Sequence, residues 1–453
     1  MTSREVRVNV GELIDGRRWS ELKAAVSEWP APELAELVRE RKSPDRLLLF
    51  RLLTRNLSGE VFSHLDPEAQ NALLGELNTD EIRTLLINLE PDDRTHLFEE
   101  LPDRIVQRLL NLLSPSELKS ARLLLSYPEE SVGRLMTPEY VAIRPYWTIE
   151  KAIAHVRVRG RDREVVTTVY VTDENWKFVD AVDLPRLILA ELDETVESVL
   201  QHEAITLSPY DDREEAVRKM SKYDLFVLPV VGADGVLIGI VTADDVLDVA
   251  EEEATEDFQL SGAVEPLKVS YRDATILSLF RKRIPWLLAL VVVNLGAAGV
   301  IAAYQETLAA LISLAFFIPL LMGSGGNAGA QSATLVVRAL ATGDVDRSQW
   351  LPTLLKEVAV GAVLGLTMGL AAWLLGLLEG TGSVAIVIGL AMFLVVLVSN
   401  LIGVVVPLLL TRAGIDPAVA SSPLITSIAD ISGLVIYFAI ATWILEAFGS
   451  VPS

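Results

Sequence analysis

Cysteine is absent from the 453-residue sequence, so disulfides, cysteine-based zinc sites and thiol catalysis are excluded. Histidine is nearly as scarce: His64, His96, His155 and His202 are scattered without metal-ligand spacing and read as ordinary surface or helix residues. Positive charge is also in short supply. Residues 284–453 hold four Lys/Arg (Arg338, Arg347, Lys356 and Arg412) against eight Asp/Glu, a net of −4, which leaves −18 of the whole-chain −22 on residues 1–283. A soluble region so acidic is a poor nucleic-acid binder, since phosphate recognition needs clustered Lys/Arg. It suits divalent cations better. There is no GK[ST] phosphate loop, no metalloprotease motif and no pairing of nucleophile with base, which argues against an enzyme. The amino terminus, MTSREVRVNVGELIDGRRW, lacks an apolar core of the signal-peptide type, so the soluble part is expected to stay in the cytosol.

Apolar residues, in contrast, make up 51% of the chain, with a mean hydropathy of +0.38, which leans towards a membrane protein. After Arg281-Lys282-Arg283, five apolar runs reach the ~20 residues a bilayer core requires. They extend from about Ile284 to Ala303, Leu308 to Leu340, Thr353 to Leu378, Val384 to Leu410 and Ser421 to Ala447. Basic residues fall before the first run, between the second and third, and after the fourth; the other connections and the tail have none. This positive-inside pattern predicts a cytosolic amino terminus and an outside carboxyl terminus in a multi-pass cell-membrane protein.

Two of these runs carry more than hydrophobicity. The second contains Pro319 and then Gly323-Ser-Gly-Gly-Asn-Ala-Gly-Ala-Gln331, a run expected to break the helix, because glycine costs about 1 kcal/mol per residue relative to alanine. Irregular backbone at membrane depth is tolerated where protein or a water-filled cavity satisfies it. The fifth carries Asp430 within an apolar segment. A central acid costs roughly 2.5–3.5 kcal/mol on insertion scales, so such residues usually line a cavity or an ion path. The third run has Gly361, Gly365 and Gly369 at GxxxGxxxG spacing, which permits close helix packing.

In the soluble region a leucine recurs every twelve residues: Leu65, Leu77, Leu89, Leu101 and Leu113. Asp66-Pro67, Glu90-Pro91 and Ser114-Pro115 then place a cap or acidic residue before proline at the first helical position. Short helices stacked in a superhelix follow. Glu60, Asp92 and Asp93 give this domain an acidic surface that could face a metal. From Met136 the pattern changes to strands and helices, and Arg144-Pro145-Tyr146 recurs as Ser208-Pro209-Tyr210. Two tandem β-α-β-β-α units of this kind resemble a CBS pair, with Leu228 to Leu247 as the most specific stretch. Thr242 and Asp245 stand where that family meets a nucleotide, while Asp183 and Arg186 occupy the equivalent positions of the first copy. Adenine-nucleotide binding (ATP), with Tyr170 stacking, and a structural or metal-sensing pair both remain open.

The second copy runs into Asp244 to Asp257, DDVLDVAEEEATED, with eight acidic residues of fourteen and no basic one. On a helix, Asp245, Asp248 and Glu252 share one face, and Glu253, Glu256 and Asp257 form a second cluster. Its place before the membrane runs suggests a cation-responsive coupling helix.

Gly325-Gly-Asn-Ala-Gly-Ala-Gln331 resembles the GGNxGxQ signature of the MgtE family of magnesium channels, and Ser422-Pro423 with Asp430-Ile-Ser-Gly433 resembles that family's fifth membrane helix. The order of domains agrees over nearly the whole chain. The resemblance implies a multidomain fold: a cytosolic α-helical superhelical domain (1–130), CBS motifs (131–192 and 193–250), an acidic connecting or plug helix and linker (251–283) and a five-helix transmembrane domain (284–453). It further implies a homodimer with Mg²⁺ both transported and regulatory. By matching motif positions, Asp430 is the pore ligand, Ser422 and Thr426 share its face, and Gly325, Gly326, Asn327 and Gln331 belong to the pore-lining motif. Asp212, Glu214, Asp224, Asp245, Asp248, Glu253, Glu256 and Asp257 are the gating-site candidates. A transporter coupled to H⁺ or Na⁺ and a membrane-tethered metal or nucleotide sensor are the alternatives.

Overall fold

The computed structural model describes residues 10–448 apart from 11, 15, 28, 164, 202–203, 268–270, 272–273, 346–349 and 380–381. His202, Arg347 and the tail 449–453 lie outside the described residues. The chain divides into two compact units, Met1–Glu251 and Glu252–Ser453.

The first unit opens with short helices α1 (Trp19–Val26), α2 (Ala31–Glu40), α3 (Asp45–Leu52), α4 (Arg55–Ser63), α5 (Pro67–Glu76), α6 (Thr79–Asn88), α7 (Pro91–Glu100), α8 (Asp103–Leu110) and α9 (Pro115–Leu124). Their starts are written locally. Asp66 caps α5 through the Ala69 N–H, while Asn78 and Ser114 form capping boxes with Glu81 and Glu117, which satisfy donors that a helix start leaves unpaired. Of the twelve-residue leucines, Leu65, Leu77, Leu89 and Leu101 are buried and Leu113 packs at the edge of the same core. Each short helix thus buries one stripe against its neighbours.

After α10 (Val132–Leu135), the next segment carries β1 (Ala142–Ile143), α11 (Ile149–Arg159), β2 (Thr168–Thr172), β3 (Phe178–Asp183) and α12 (Leu184–Leu189). The second copy supplies α13 (Arg213–Tyr223), β4 (Val227–Val231) and β5 (Leu237–Thr242). Both hairpins are antiparallel, β2 with β3 and β4 with β5, and their turns hold a left-handed residue at matching places, Trp176 and Gly235. The turns also pair with each other, the Phe178 N–H donating to the Gly235 carbonyl and the Leu237 N–H to that of Trp176. Tyr170, Val227, Leu237 and Ile240 form the apolar seam between the copies.

Helix α14 runs unbroken from Ala243 to Ser261. The acidic run therefore continues the last helix of the second copy, starting before residue 251, because no glycine or proline interrupts it.

The second unit contains α15 (Ile276–Ala303), α16 (Gln305–Ala310), α17 (Ser313–Ala341), α18 (Trp350–Glu379), α19 (Gly382–Arg412) and α20 (Ser422–Phe448). Among the described residues four helices, all but α17 of the long ones, are both long and apolar enough to cross a membrane. α17 has the length, but its Gly-Ser-Gly-Gly-Asn-Ala-Gly run dilutes its hydropathy. The helix break expected there does not occur: α17 is continuous through Gly323–Gln331. Protein packing overrides propensity, because Gly325 and Gly329 lie against Val395 and Ser399 of α19, and Gly326 against Thr426 of α20. A Cβ on Gly403 would collide with the Gly329 carbonyl oxygen, so α17 and α19 meet backbone to backbone.

Candidate functional site

Asp430 lies two turns into α20, with Ser422 and Thr426 at i−8 and i−4 on the same face,. All three are half-buried. The Asp430 Oδ1 is buried and has no hydrogen-bond partner, a costly state for a carboxyl oxygen unless a further group completes it. Packing fixes its depth on the neighbouring helix: Gly326 meets Thr426, and Gly433 meets Met322. The helices are antiparallel there, so Asp430 stands beside the Met322–Gly326 turn of α17.

The GGNAGAQ residues divide by role. Gly325 and Gly326 are buried packing positions, whereas Asn327 and Gln331, one turn apart, are exposed on the surface of the chain. Two amides on the face of a membrane-depth helix require water or protein opposite them.

A second acidic site lies within the first unit, where α7 meets the start of α14. Burial, reinforced by Glu90 and Asp244, pushes the Asp93 carboxyl up to about 6. Asp245 is pushed up to about 7, first by burial and then by Asp244 and Asp93, although Thr242 and Asp92 hydrogen-bond to it. The Thr242 hydroxyl donates to Asp245 at 2.6 Å. The pair proposed for nucleotide contact is thus turned on itself and on α7. Ser63 reaches Asp93, with Glu60 exposed one turn earlier on α4.

A third cluster lies in the second unit. Burial raises the Asp257 carboxyl, Asp416 and Glu253 add to the rise, and Arg338 opposes it. Asp416, in the connection before α20, also accepts from the Ala418 N–H at 2.8 Å. The sequence reading missed Asp416 and Asp244's role. Asp416 gave no signal in one dimension, and only the acidic run pointed to Asp244. Asp248 lies on α14 between the two clusters, and Glu256 directly precedes Asp257.

The remaining candidates have local roles. Asp212 caps α13 through the Glu214 N–H, and Asp224 closes the same helix in the left-handed conformation. Tyr170 is 1% exposed and packs edge-to-face with Tyr140, ring centroids 6.0 Å apart, so its ring offers no free face for stacking on adenine. Asp183 and Arg186 instead line an open groove of about 620 Å³ beside α12, with Pro185, Leu189 and Glu194. Among the described residues no three Asp, Glu or His side chains converge closely enough to hold a metal ion unaided.

The chain is 36% identical to the magnesium transporter MgtE of Thermus thermophilus, over 98% of this chain and 99% of that one. The chain belongs to the MgtE family. The MgtE transporter of Bacillus subtilis is 28% identical over 98% of both chains. Family models match residues 318–440 (divalent cation transporter), 29–130 (MgtE intracellular N domain) and 196–252 (CBS domain). The cytosolic domain of the Mg²⁺ channel MgtE in complex with ATP superposes with a TM-score of 0.52 at 34% identity, covering 54% of this chain and 99% of that one. All three acidic sites lie on segments shared with MgtE relatives across their full length, and the MgtE family is one of transporters.

Proposed function

We propose that this chain is a homodimeric Mg²⁺ channel of the cell membrane, closed by Mg²⁺ on the side of its soluble domains. The observation that carries the reading is Asp430, an intramembrane carboxylate with an unpartnered buried oxygen beside an exposed amide stripe, in a chain matching magnesium transporters from end to end. One carboxylate cannot balance a divalent charge. A second copy across a twofold axis supplies the other and covers Asn327 and Gln331. Ser422 and Thr426 then offer hydroxyl oxygens to a largely hydrated ion, in keeping with Mg²⁺. The distribution of the basic residues Arg281–Arg283, Arg338, Lys356 and Arg412 supports amino-terminal domains in the cytosol and a carboxyl terminus outside,.

The regulatory sites fit the same ion. Asp93 and Asp245 are crowded by like charge at one end of α14, and Asp257, Asp416 and Glu253 at the other. With Asp92, these groups would hold the bound cation, which supplies the missing positive charge. Shifting a two-state pore from 1:99 to 99:1 takes about 5.5 kcal/mol of differential binding. Four such clusters in a dimer would share this at about 1.4 kcal/mol each. Adenine nucleotide remains a ligand of the CBS pair on the strength of the ATP-bound relative, with the Asp183–Arg186 groove as its place.

Mg²⁺ flux into liposomes holding the purified chain tests this reading. Asp430→Ala should abolish uptake with folding and insertion intact; retained uptake would remove Asp430 from the path. Single-channel steps distinguish a channel from a transporter with a fixed H⁺ or Na⁺ ratio.

A further inference from the structure

Asp430 is not the sole carboxylate of the membrane helices with a specific polar setting. Glu357, two turns into α18, has its Oε2 against two donors from two other helices: Asn400 Nδ2 of α19 at 2.8 Å and Ser332 Oγ of α17 at 3.3 Å. Asn400 Nδ2 also donates to the Glu357 carbonyl at 3.0 Å, so both amide hydrogens are spent on one residue. Asn400 and Ser332 are each 2% exposed. No basic side chain pairs with Glu357 among the described residues. Around this point the three helices are as close as side chains allow: a Cβ on Gly361 would sit 3.3 Å from Asn400 Nδ2, and Gly403 lies against Gly329 and Ser332.

We propose that Glu357 is a positioning residue for ion conduction: by accepting from Ser332 and Asn400 it fixes the rotation and depth of α17, and so the placement of Asn327 and Gln331 on the helix that packs against α20. Ser332 directly follows Gln331, so the hydrogen bond sets the helix phase at the level of the exposed amides. A different side of α17 packs through Gly326 on Thr426, which carries any rotation to the helix of Asp430. The role calls for an acceptor and not a charge. Glutamine can accept the same two hydrogen bonds, whereas alanine leaves buried donors unsatisfied at membrane depth.

The inference rests on the magnesium-conducting reading for its flux test, and a second readout stands apart from it. Because the chain has no cysteine, Asn327→Cys provides a single thiol whose reaction rate with a membrane-impermeant methanethiosulfonate reports the placement of α17. In this background Glu357→Ala should slow modification about tenfold and Glu357→Gln should leave it within twofold; in Mg²⁺ flux from liposomes, otherwise wild-type Glu357→Ala should lose about tenfold and Glu357→Gln little. Ser332→Ala, a smaller change that keeps the fold if Glu357→Ala does not, should lower both readouts about threefold. Equal loss in Glu357→Ala and Glu357→Gln would show that the charge matters and overturn the proposal, as would unchanged thiol reactivity in Glu357→Ala or Ser332→Ala. Absence of Mg²⁺ flux in the unsubstituted protein would count against the conduction reading alone, since the thiol rates still decide the positioning.

Discussion

Asp245 and Asp93 are acids whose surroundings oppose their own ionisation. With carboxyls raised to about 7 and about 6 from the ordinary 3.8, the folded state binds more protons than the unfolded one between those values. The contribution of these groups to stability is full below the ordinary carboxylate range and is lost as pH rises through 6 and 7. In chelator, thermal unfolding of the full chain in detergent should shift to lower temperature from about pH 5 to about pH 8, and Asp245→Asn should flatten that trend. Added Mg²⁺ at the higher pH should restore the loss through binding linkage; no effect of Mg²⁺ there would remove this joint from the regulatory sites. Asp430 draws notice in the sequence because an acid stands out in an apolar run, and Asp245 because it lies in an acidic one. Asp416 and Glu357 do not. Each draws its meaning from groups far away in sequence: Asp257 for the former, Ser332 and Asn400 for the latter.

At the level of elements, the short helices were readable from proline and cap positions because these signals act within one turn. α17 was misread for an equally physical reason. Glycine propensity describes a helix in water, and in α17 the glycines are spent on approach to α19 and α20. The consequence is a sharp contrast between glycines of one region. Gly403→Leu should lower the unfolding temperature in detergent markedly, since overpacking costs typically 1–3 kcal/mol or more. Gly323→Ala, with nothing within 4 Å of the added carbon, should be neutral or stabilising by up to about 1 kcal/mol. Similar behaviour of the two would contradict the backbone-to-backbone contact. The CBS hairpins were legible from β-branched runs. Tyr170 was not: its strand assignment could not say which side of the seam its ring would occupy.

For the whole molecule, the proposed pairing of Asp430 carboxylates would require two chains. Light scattering of the purified protein should give twice the 49.5 kDa of one chain; a monomer that still conducts Mg²⁺ would refute the shared site. Joint neutralisation of Asp245, Asp248, Glu253, Glu256 and Asp257 should leave the pore open at high Mg²⁺, and unchanged inhibition in patch recordings would refute regulation through α14. The continuity of α14 adds a mechanical meaning to those acids. A helix of 19 residues is about 28 Å long, and one without glycine or proline is a stiff rod. A tilt of about 10° at one end sweeps the other through about 5 Å. On the proposed regulation, ion occupancy at the Asp245 end would be geared up into travel at the Asp257 end, in the manner of a crank. Such a device fails when its shaft is made pliable. A Gly-Pro pair in place of Glu251-Glu252 should leave both ends able to bind Mg²⁺ and yet disconnect them, with conduction preserved and its inhibition gone.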